Sequence, residues 1–225
     1  MSIFVKYPTR EQLFESLAQT IAQELQQAII SKNTASLAVP GGTTPAPLFQ
    51  LLRNAEIGWQ DVNVMLTDER FVPETSSRSN ARLLRQNLFK GAASKANFVP
   101  MYSAANAPED VMMDLREGIA KALPLDVCVL GMGADMHTAS IFPEADLLDE
   151  ALAPDAPILL PMRAPNAPEP RLTLTAPVLR AAKSVHLLIV GTEKRRALKA
   201  AKEATSSHDA PVRIILDQAQ IHYAD

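Results

Sequence analysis

The chain has 225 residues, carries 22 Lys and Arg against 25 Asp and Glu for a formal charge of −3, and is 47% hydrophobic and 21% charged. That composition supplies a full core and excludes a disordered chain, a collagen, a coiled coil and an acidic tail. The charges are interspersed and form no basic stripe, so nucleic acid is not an expected partner.

After Tyr7-Pro8, Thr9 and Gln12 form a capping box, and Leu13, Leu17, Ile21, Leu25 and Ile29 recur at helical spacing, which predicts a long amphipathic helix. The apolar run Leu37 to Val39 is cut off by Pro40-Gly41-Gly42-Thr43-Thr44-Pro45, and Pro47 to Arg53 has helical character, so the order is strand, glycine-rich turn, helix. The pattern repeats with a strand at Val62 to Leu66, a polar loop from Thr67 to Asn80, and a helix from Ala81 to Phe89 with Leu83, Leu84 and Leu88 inward. Ala107 to Ala122 reads as a helix with Pro108 in its first turn. Val127 to Leu130 is a buried strand running into Gly131-Met132-Gly133. Ala153 to Pro170 holds six prolines and reads as an extended excursion or lid. Val185 to Val190 is a further strand, followed by Gly191-Thr192 and a basic helix from Glu193 to Ala204, and the tail holds two short strands, Val212 to Leu216 and Ile221 to Tyr223.

Continuous apolar strands alternating with helices predict an α/β fold: a single doubly wound, mostly parallel sheet with helices on both faces, in one domain spanning residues 1–225. In such sheets ligands collect where the carboxyl ends of strands meet loops and helix N-termini, because unpaired N–H groups favour anions there. The one cysteine, Cys128, cannot form an internal disulfide, sits in a strand as a core residue, and is accompanied by no cluster of zinc spacing. A reducing cytoplasm and no metal or other cofactor are expected. No apolar run approaches the roughly 18 residues of a membrane span and no basic start precedes an apolar stretch, so neither membrane nor secretory leader is expected.

Five loops could carry chemistry. Gly41 and Gly42 allow close backbone approach, and Thr43 and Thr44 add hydroxyls; this suits a phosphate or, equally, an ordinary strand-to-helix turn. Thr67-Asp68-Glu69-Arg70, with Ser79-Asn80 downstream, places carboxylates and a guanidinium after a buried strand, either as an anion clamp with a proton carrier or as a solvated turn. Leu130 to Pro143 is the most specific stretch. Its Gly131-x-Gly133 lacks a third glycine where Met136 stands, and Asp135, His137 and Ser140 are too closely spaced for a serine triad, which leaves His137 beside a carboxylate as a candidate general base or a structural loop histidine. Pro170-Arg171-Leu172-Thr173 and Gly191-Thr192-Glu193-Lys194 each set a cation beside a strand terminus. His186, in a strand, and His208 and His222, read as exposed or terminal, suggest no chemistry.

Taken in order, GGTTP, DERFVP with SN, LGMGADMHTASIFP, PRLTLT and GTEK resemble the motif series of the 6-phosphogluconolactonases, in the sugar-phosphate isomerase-like superfamily, from about Leu37 to Lys194. The resemblance implies cytosolic, metal-independent hydrolysis of a phosphorylated sugar lactone in the oxidative pentose phosphate or Entner-Doudoroff routes, with a small-molecule substrate and no obligate protein partner. It implies His137 as general base with Asp135 as its partner, Arg70, Arg171 and Lys194 as phosphate cations, and Gly42, Thr43 and Thr44 as the cradle. Asp68 and Glu69 would line the same site without an assigned role. The family usually reads Asp-Gly-His where this chain has Asp135-Met136-His137, so a positive φ at that position would place strain on Met136. The related glucosamine-6-phosphate deaminases continue after their histidine with an Ala-Phe-Asn-Glu-Pro type sequence that this chain lacks, and sensor domains of the superfamily carry a DNA-binding motif for which the region before the first strand leaves no room.

Overall fold

The computed structural model describes residues 3–165 and 167–225. In chain order its strands and helices are β1 (Ile3–Lys6), α1 (Arg10–Lys32), β2 (Ala35–Val39), α2 (Ala46–Leu52), β3 (Val62–Leu66), β4 (Asp68–Arg70), α3 (Asn80–Asn87), β5 (Asn97–Phe98), α4 (Met112–Ala120), β6 (Val127–Leu130), α5 (Leu148–Leu152), β7 (Leu159–Met162), β8 (Arg171–Leu174), α6 (Ala176–Arg180), β9 (Ser184–Val190), α7 (Thr192–Glu203), α8 (Arg213–Leu216) and β10 (Gln220–Ala224). Seven strands form an all-parallel sheet in the order β1-β10-β9-β6-β2-β3-β5, and β4-β8-β7 form a second, antiparallel sheet.

The predicted mostly parallel sheet with helices is present, and its order locates the ligand crevice. From β2 the chain moves to β3 on one side, while β6 returns to pair with β2 on the other. The loops leaving β2 and β6 therefore diverge and open a gap at the carboxyl edge. α1 covers the sheet as its spacing requires: Leu13, Leu17, Ile21 and Leu25 are fully buried, Thr9 accepts the Gln12 N–H at 3.2 Å, and Asn33, at φ 59°, ends the helix. No helix among the described residues is long and apolar enough to cross a membrane.

Several elements differ from the sequence reading, each for a physical reason. The polar stretch from Thr67 contains β4, hidden because all three of its residues are charged. Thr67 is the transfer point between sheets: its N–H donates to Val39 of the parallel sheet and its carbonyl accepts from Leu174 of the antiparallel one. Within the expected excursion, β7 is fully buried against β8, so this part is built into the fold and does not hang over the cleft; Asn166 of that segment lies outside the described residues. The run Val212 to Leu216 forms α8, since a short apolar run fits a buried helical turn as well as a strand. β1 is an addition to the sequence reading; it is a mostly exposed edge strand without alternation. The Ala107 to Ala122 helix is split into a 3₁₀ turn at Pro108–Val111 and α4. His222 is terminal as expected but fully buried in β10.

Candidate active site

A cleft of about 360 Å³ opens at the gap between β2 and β6, lined by the Gly41–Gly42 turn, by Asp68 and Arg70 of β4, by Gly131, Gly133, His137 and Phe142 of the loop after β6, by Arg171 of β8 and by Lys194 of α7. Motifs up to about 150 residues apart in sequence thus meet at one place.

The loop after β6 is closed on itself. The Gly133 N–H donates to the His137 carbonyl at 3.0 Å and the Met136 N–H to the Gly133 carbonyl at 3.1 Å. A Cβ at Gly133 would overlap both the His137 ring and the Asp135 carboxylate, so glycine is required by close approach. Met136 has φ 67° and Ala139 φ 50°, left-handed conformations that cost roughly 1–2 kcal/mol each for residues with a Cβ. The turn sets His137 Nδ1 2.5 Å from Asp135 Oδ1, and the imidazole rests against Phe142 with ring centroids 4.3 Å apart. Nδ1–H donates to the carboxylate, which leaves Nε2 with its lone pair and with no partner among the described residues. Burial alone would raise the Asp135 carboxyl, but the hydrogen bond from His137, and its charge when the imidazole is protonated, outweigh it and hold the group below the ordinary value. Ser140 is an anchor and not a nucleophile: its hydroxyl donates to Asp68 Oδ2 at 2.6 Å and its N–H to Thr173 Oγ1 at 3.1 Å, tying the histidine loop to β4 and β8.

The other end of the cleft is cationic. Antiparallel register sets Arg70 directly opposite Arg171, a like-charge pair that favours an anion between or beside the two. Both guanidiniums have a buried Nε with no partner among the described residues, although Arg70 Nη1 donates to the Arg78 carbonyl and Glu169 reaches Arg171 at 3.9 Å. Burial, then the charge of Arg70, pushes the Arg171 pKa below its ordinary value. Lys194 is likewise pushed down by burial, and it stands in the first turn of α7, whose N-cap, Gly191, supplies no side-chain cap. Unpaired N–H groups and the helix dipole add to the positive field there.

The sequence-predicted residues His137, Asp68, Arg70, Arg171, Lys194 and Gly42 line this one cleft, with Asp135 directly behind His137. Thr43 and Thr44 do not line it. They face a larger groove of about 610 Å³ beside α1, with Arg10, Phe14 and Val190, whose carboxylates Glu11 and Glu15 would repel a phosphate. Glu69 points away from the cleft, because alternation along β4 sends Asp68 and Arg70 to one face and Glu69 to the other. Phe142, which lines the cleft, stood inside the Leu130 to Pro143 stretch without being singled out. No group of three His, Cys, Asp or Glu side chains among the described residues is placed to share a metal ion. Cys128 is buried in β6 and its thiol is pushed up to about 12, so it is inert core.

A switch-point cleft with cations at one end and a proton acceptor at the other is the layout of an enzyme acting on a phosphorylated small molecule. The chain belongs to the family described as glucosamine-6-phosphate isomerases/6-phosphogluconolactonase, whose sequence model matches residues 8–223. It is 46% identical to the 6-phosphogluconolactonase of Mesorhizobium japonicum over 95% of this chain and 90% of that one, and 43% identical to that of Rhizobium meliloti over 94% of each. The crystal structure of a 6-phosphogluconolactonase from Shewanella baltica superposes with a TM-score of 0.97 at 34% identity, covering 100% of this chain and 98% of that one.

Proposed function

We propose that this chain hydrolyses 6-phospho-D-glucono-1,5-lactone to 6-phospho-D-gluconate by general-base activation of water, in the oxidative pentose phosphate or Entner-Doudoroff route. The observation that carries the reading is His137, held at Nδ1 by Asp135 at 2.5 Å while its Nε2 side opens on the cleft that also holds Arg70, Arg171 and Lys194. The names of the relatives agree with it.

The ester phosphate binds among the three cations, and its binding energy fixes the lactone ring with C1 toward His137. Nε2 takes a proton from water as its oxygen bonds to C1, giving a tetrahedral adduct. The bond from C1 to the ring oxygen then breaks, and Nε2–H returns the proton to that oxygen, so the imidazole ends neutral. Asp135 keeps the ring in the tautomer that accepts at Nε2 and stabilises the imidazolium formed in between. Phe142 covers the ring and limits its rotation. Asp68, held at Oδ2 by the Ser140 hydroxyl and reached at Oδ1 by the Thr67 hydroxyl, lines the cleft as an acceptor for sugar hydroxyls. The glycine turn at Gly41 and Gly42 lets substrate approach the backbone.

We read residues 1–225 as one domain, since β1 from the start of the chain pairs with β10 from its end. The lone buried cysteine suits a reducing cytoplasm. The test is to generate the lactone in situ and follow its disappearance with wild type, with His137→Ala and without protein. Acceleration over spontaneous hydrolysis by wild type alone supports the reading. Release of ammonia from glucosamine 6-phosphate, with no effect on the lactone, replaces it with the deaminase reaction.

A further inference from the structure

Glu69 is 1% exposed, and no cation pairs with it among the described residues. Its Oε1 accepts the backbone N–H groups of Arg70 and Asn80, both at 2.7 Å, and its Oε2 accepts the Ala81 N–H at 2.7 Å and the Ser79 hydroxyl at 3.1 Å. Burial raises the carboxyl pKa above its ordinary value, and the four donors offset that only in part. A buried carboxylate without a counter-charge is costly, and it persists only where its acceptors do something a neutral group could not. Here the four donors come from two elements that must meet: the end of β4 and the first turn of α3. Asn80 closes the arrangement, because its Nδ2 donates to the Asp68 carbonyl at 2.9 Å and its side chain occupies the space a Cβ at Gly41 would need. One carboxylate therefore holds the backbone that carries Asp68, Arg70 and Asn80, all three of them cleft residues.

We infer that Glu69 is a positioning residue for the anion-binding end of the cleft: by gripping the Arg70 and Asn80 backbone from behind, it sets the Arg70 guanidinium opposite Arg171, and it touches no substrate. For its kinetic readout the inference rests on the lactonase reading; for its binding readout it does not. A glutamine at this position keeps the shape but presents an N–H₂ where Ala81 N–H needs an acceptor, so the clamp loosens without leaving a cavity.

The experiment is a double-mutant cycle of Glu69→Gln and Arg70→Gln, read as KM and kcat for the lactone, with calorimetric binding of inorganic phosphate to wild type and Glu69→Gln. Glu69→Gln should weaken phosphate binding and raise KM by about tenfold, with kcat changed by less than about threefold. In the Arg70→Gln background the same change should cost less than about twofold, because the group it positions is gone. Full additivity in the cycle, or unchanged phosphate affinity and KM in folded Glu69→Gln, overturns the inference. If Glu69→Gln does not fold, Ser79→Ala decides: with one of the four donors removed, phosphate should bind about two- to threefold more weakly, and unaltered binding would overturn the inference. A wild type that binds phosphate but leaves the lactone untouched would sink the lactonase reading and leave the binding arm of this one intact.

Discussion

Among the described residues, two buried or half-buried histidine–carboxylate pairs have similar geometry and different surroundings. His137 lies 2.5 Å from Asp135, with side chains 28% and 46% exposed; His186 lies 2.8 Å from Glu24, with the imidazole 2% exposed. Beneath α1 the second pair continues as a chain: His186 Nδ1 is 3.1 Å from His222 Nε2, and His222 Nδ1 is 2.9 Å from the Tyr7 hydroxyl, which lies 3.4 Å from that of Ser16. One donor order satisfies every atom: His186 Nε2–H to Glu24, His222 Nε2–H to His186, Tyr7 O–H to His222, Ser16 O–H to Tyr7. No ring nitrogen is left over. In the loop after β6 the carboxylate occupies one nitrogen and the other opens on the cleft. The difference lies in the free nitrogen: both nitrogens of His186 and of His222 have partners, whereas Nε2 of His137 has none among the described residues, and on the proposed reading that is what lets His137 act as the base.

The largest test of this contrast is paired. His137→Gln should lower kcat by about 10²- to 10⁴-fold while thermal stability stays close to wild type. His186→Phe should do the reverse, leaving kcat within about twofold and lowering stability by about 1–3 kcal/mol in urea unfolding, since Glu24 and His222 each lose a partner. Loss of turnover by a stable His186 variant would break the contrast.

Next in size is the cationic end, which has no counterpart under α1. Arg171→Gln or Lys194→Ala should raise KM by about 10- to 100-fold with a smaller change in kcat, as expected when a charged hydrogen-bond partner of the phosphate is removed. An unchanged KM would remove that residue from the phosphate site.

A third test uses pH. Burial, reinforced by the His186 ring, pushes the His222 pKa down to about 3 from its ordinary 6.5. Above pH 6.5 both folded and unfolded chains hold a neutral imidazole, and the group contributes no pH dependence. As pH falls from 6.5 toward 3 the unfolded chain takes up a proton that the folded chain refuses, so stability drops by up to about 1.4 kcal/mol per pH unit. His222→Gln, which cannot titrate, should flatten the dependence of urea-unfolding free energy on pH between 6.5 and 5 by up to one proton; an identical slope would show that His222 already accepts the proton in the folded state.

The contrast also explains what was readable in the sequence. Asp135 and His137 stand two residues apart, so one short loop displays the pair, whereas Glu24 and His186 are 162 residues apart and only the packing of α1 on the sheet brings them together. His222 could be placed in a strand but not in the core, because burial of β10 depends on β1, a short edge strand with no alternation. The parallel sheet was legible because Leu37 to Val39, Val62 to Leu66, Val127 to Leu130 and Val185 to Val190 are continuous apolar runs. β4 was not, since Glu69 is held by the start of α3, Asp68 by Ser140, and Arg70 lines the cleft, surroundings that no local pattern displays. For the same reason Arg70, Arg171 and Lys194 could be named and do line the cleft, while nothing local showed that Thr43 and Thr44 line the groove beside α1 instead.

The smallest expected effect concerns the backbone that makes the two pairs differ. His186 occupies an extended strand and needs no special conformation, but His137 follows Met136 at φ 67°. Met136→Gly removes the left-handed cost of about 1–2 kcal/mol, while the glycine adds about 0.5–1 kcal/mol of unfolded-chain entropy and gives up the contacts of a half-buried methionine. These terms oppose each other, so stability should stay within about 1 kcal/mol of wild type. The turn itself persists, because the Met136 N–H to Gly133 and its carbonyl to the Val212 N–H at 3.0 Å are backbone bonds that glycine keeps; kcat should therefore change by less than about threefold. Met136→Val supplies the opposing arm. A β-branched residue resists positive φ more strongly than methionine, so relaxing the turn would swing His137 away from Asp135 and lower kcat. A valine variant with wild-type turnover would mean that His137 reaches its position without the left-handed turn, and the local difference between the two histidine pairs would then lie in solvent access alone.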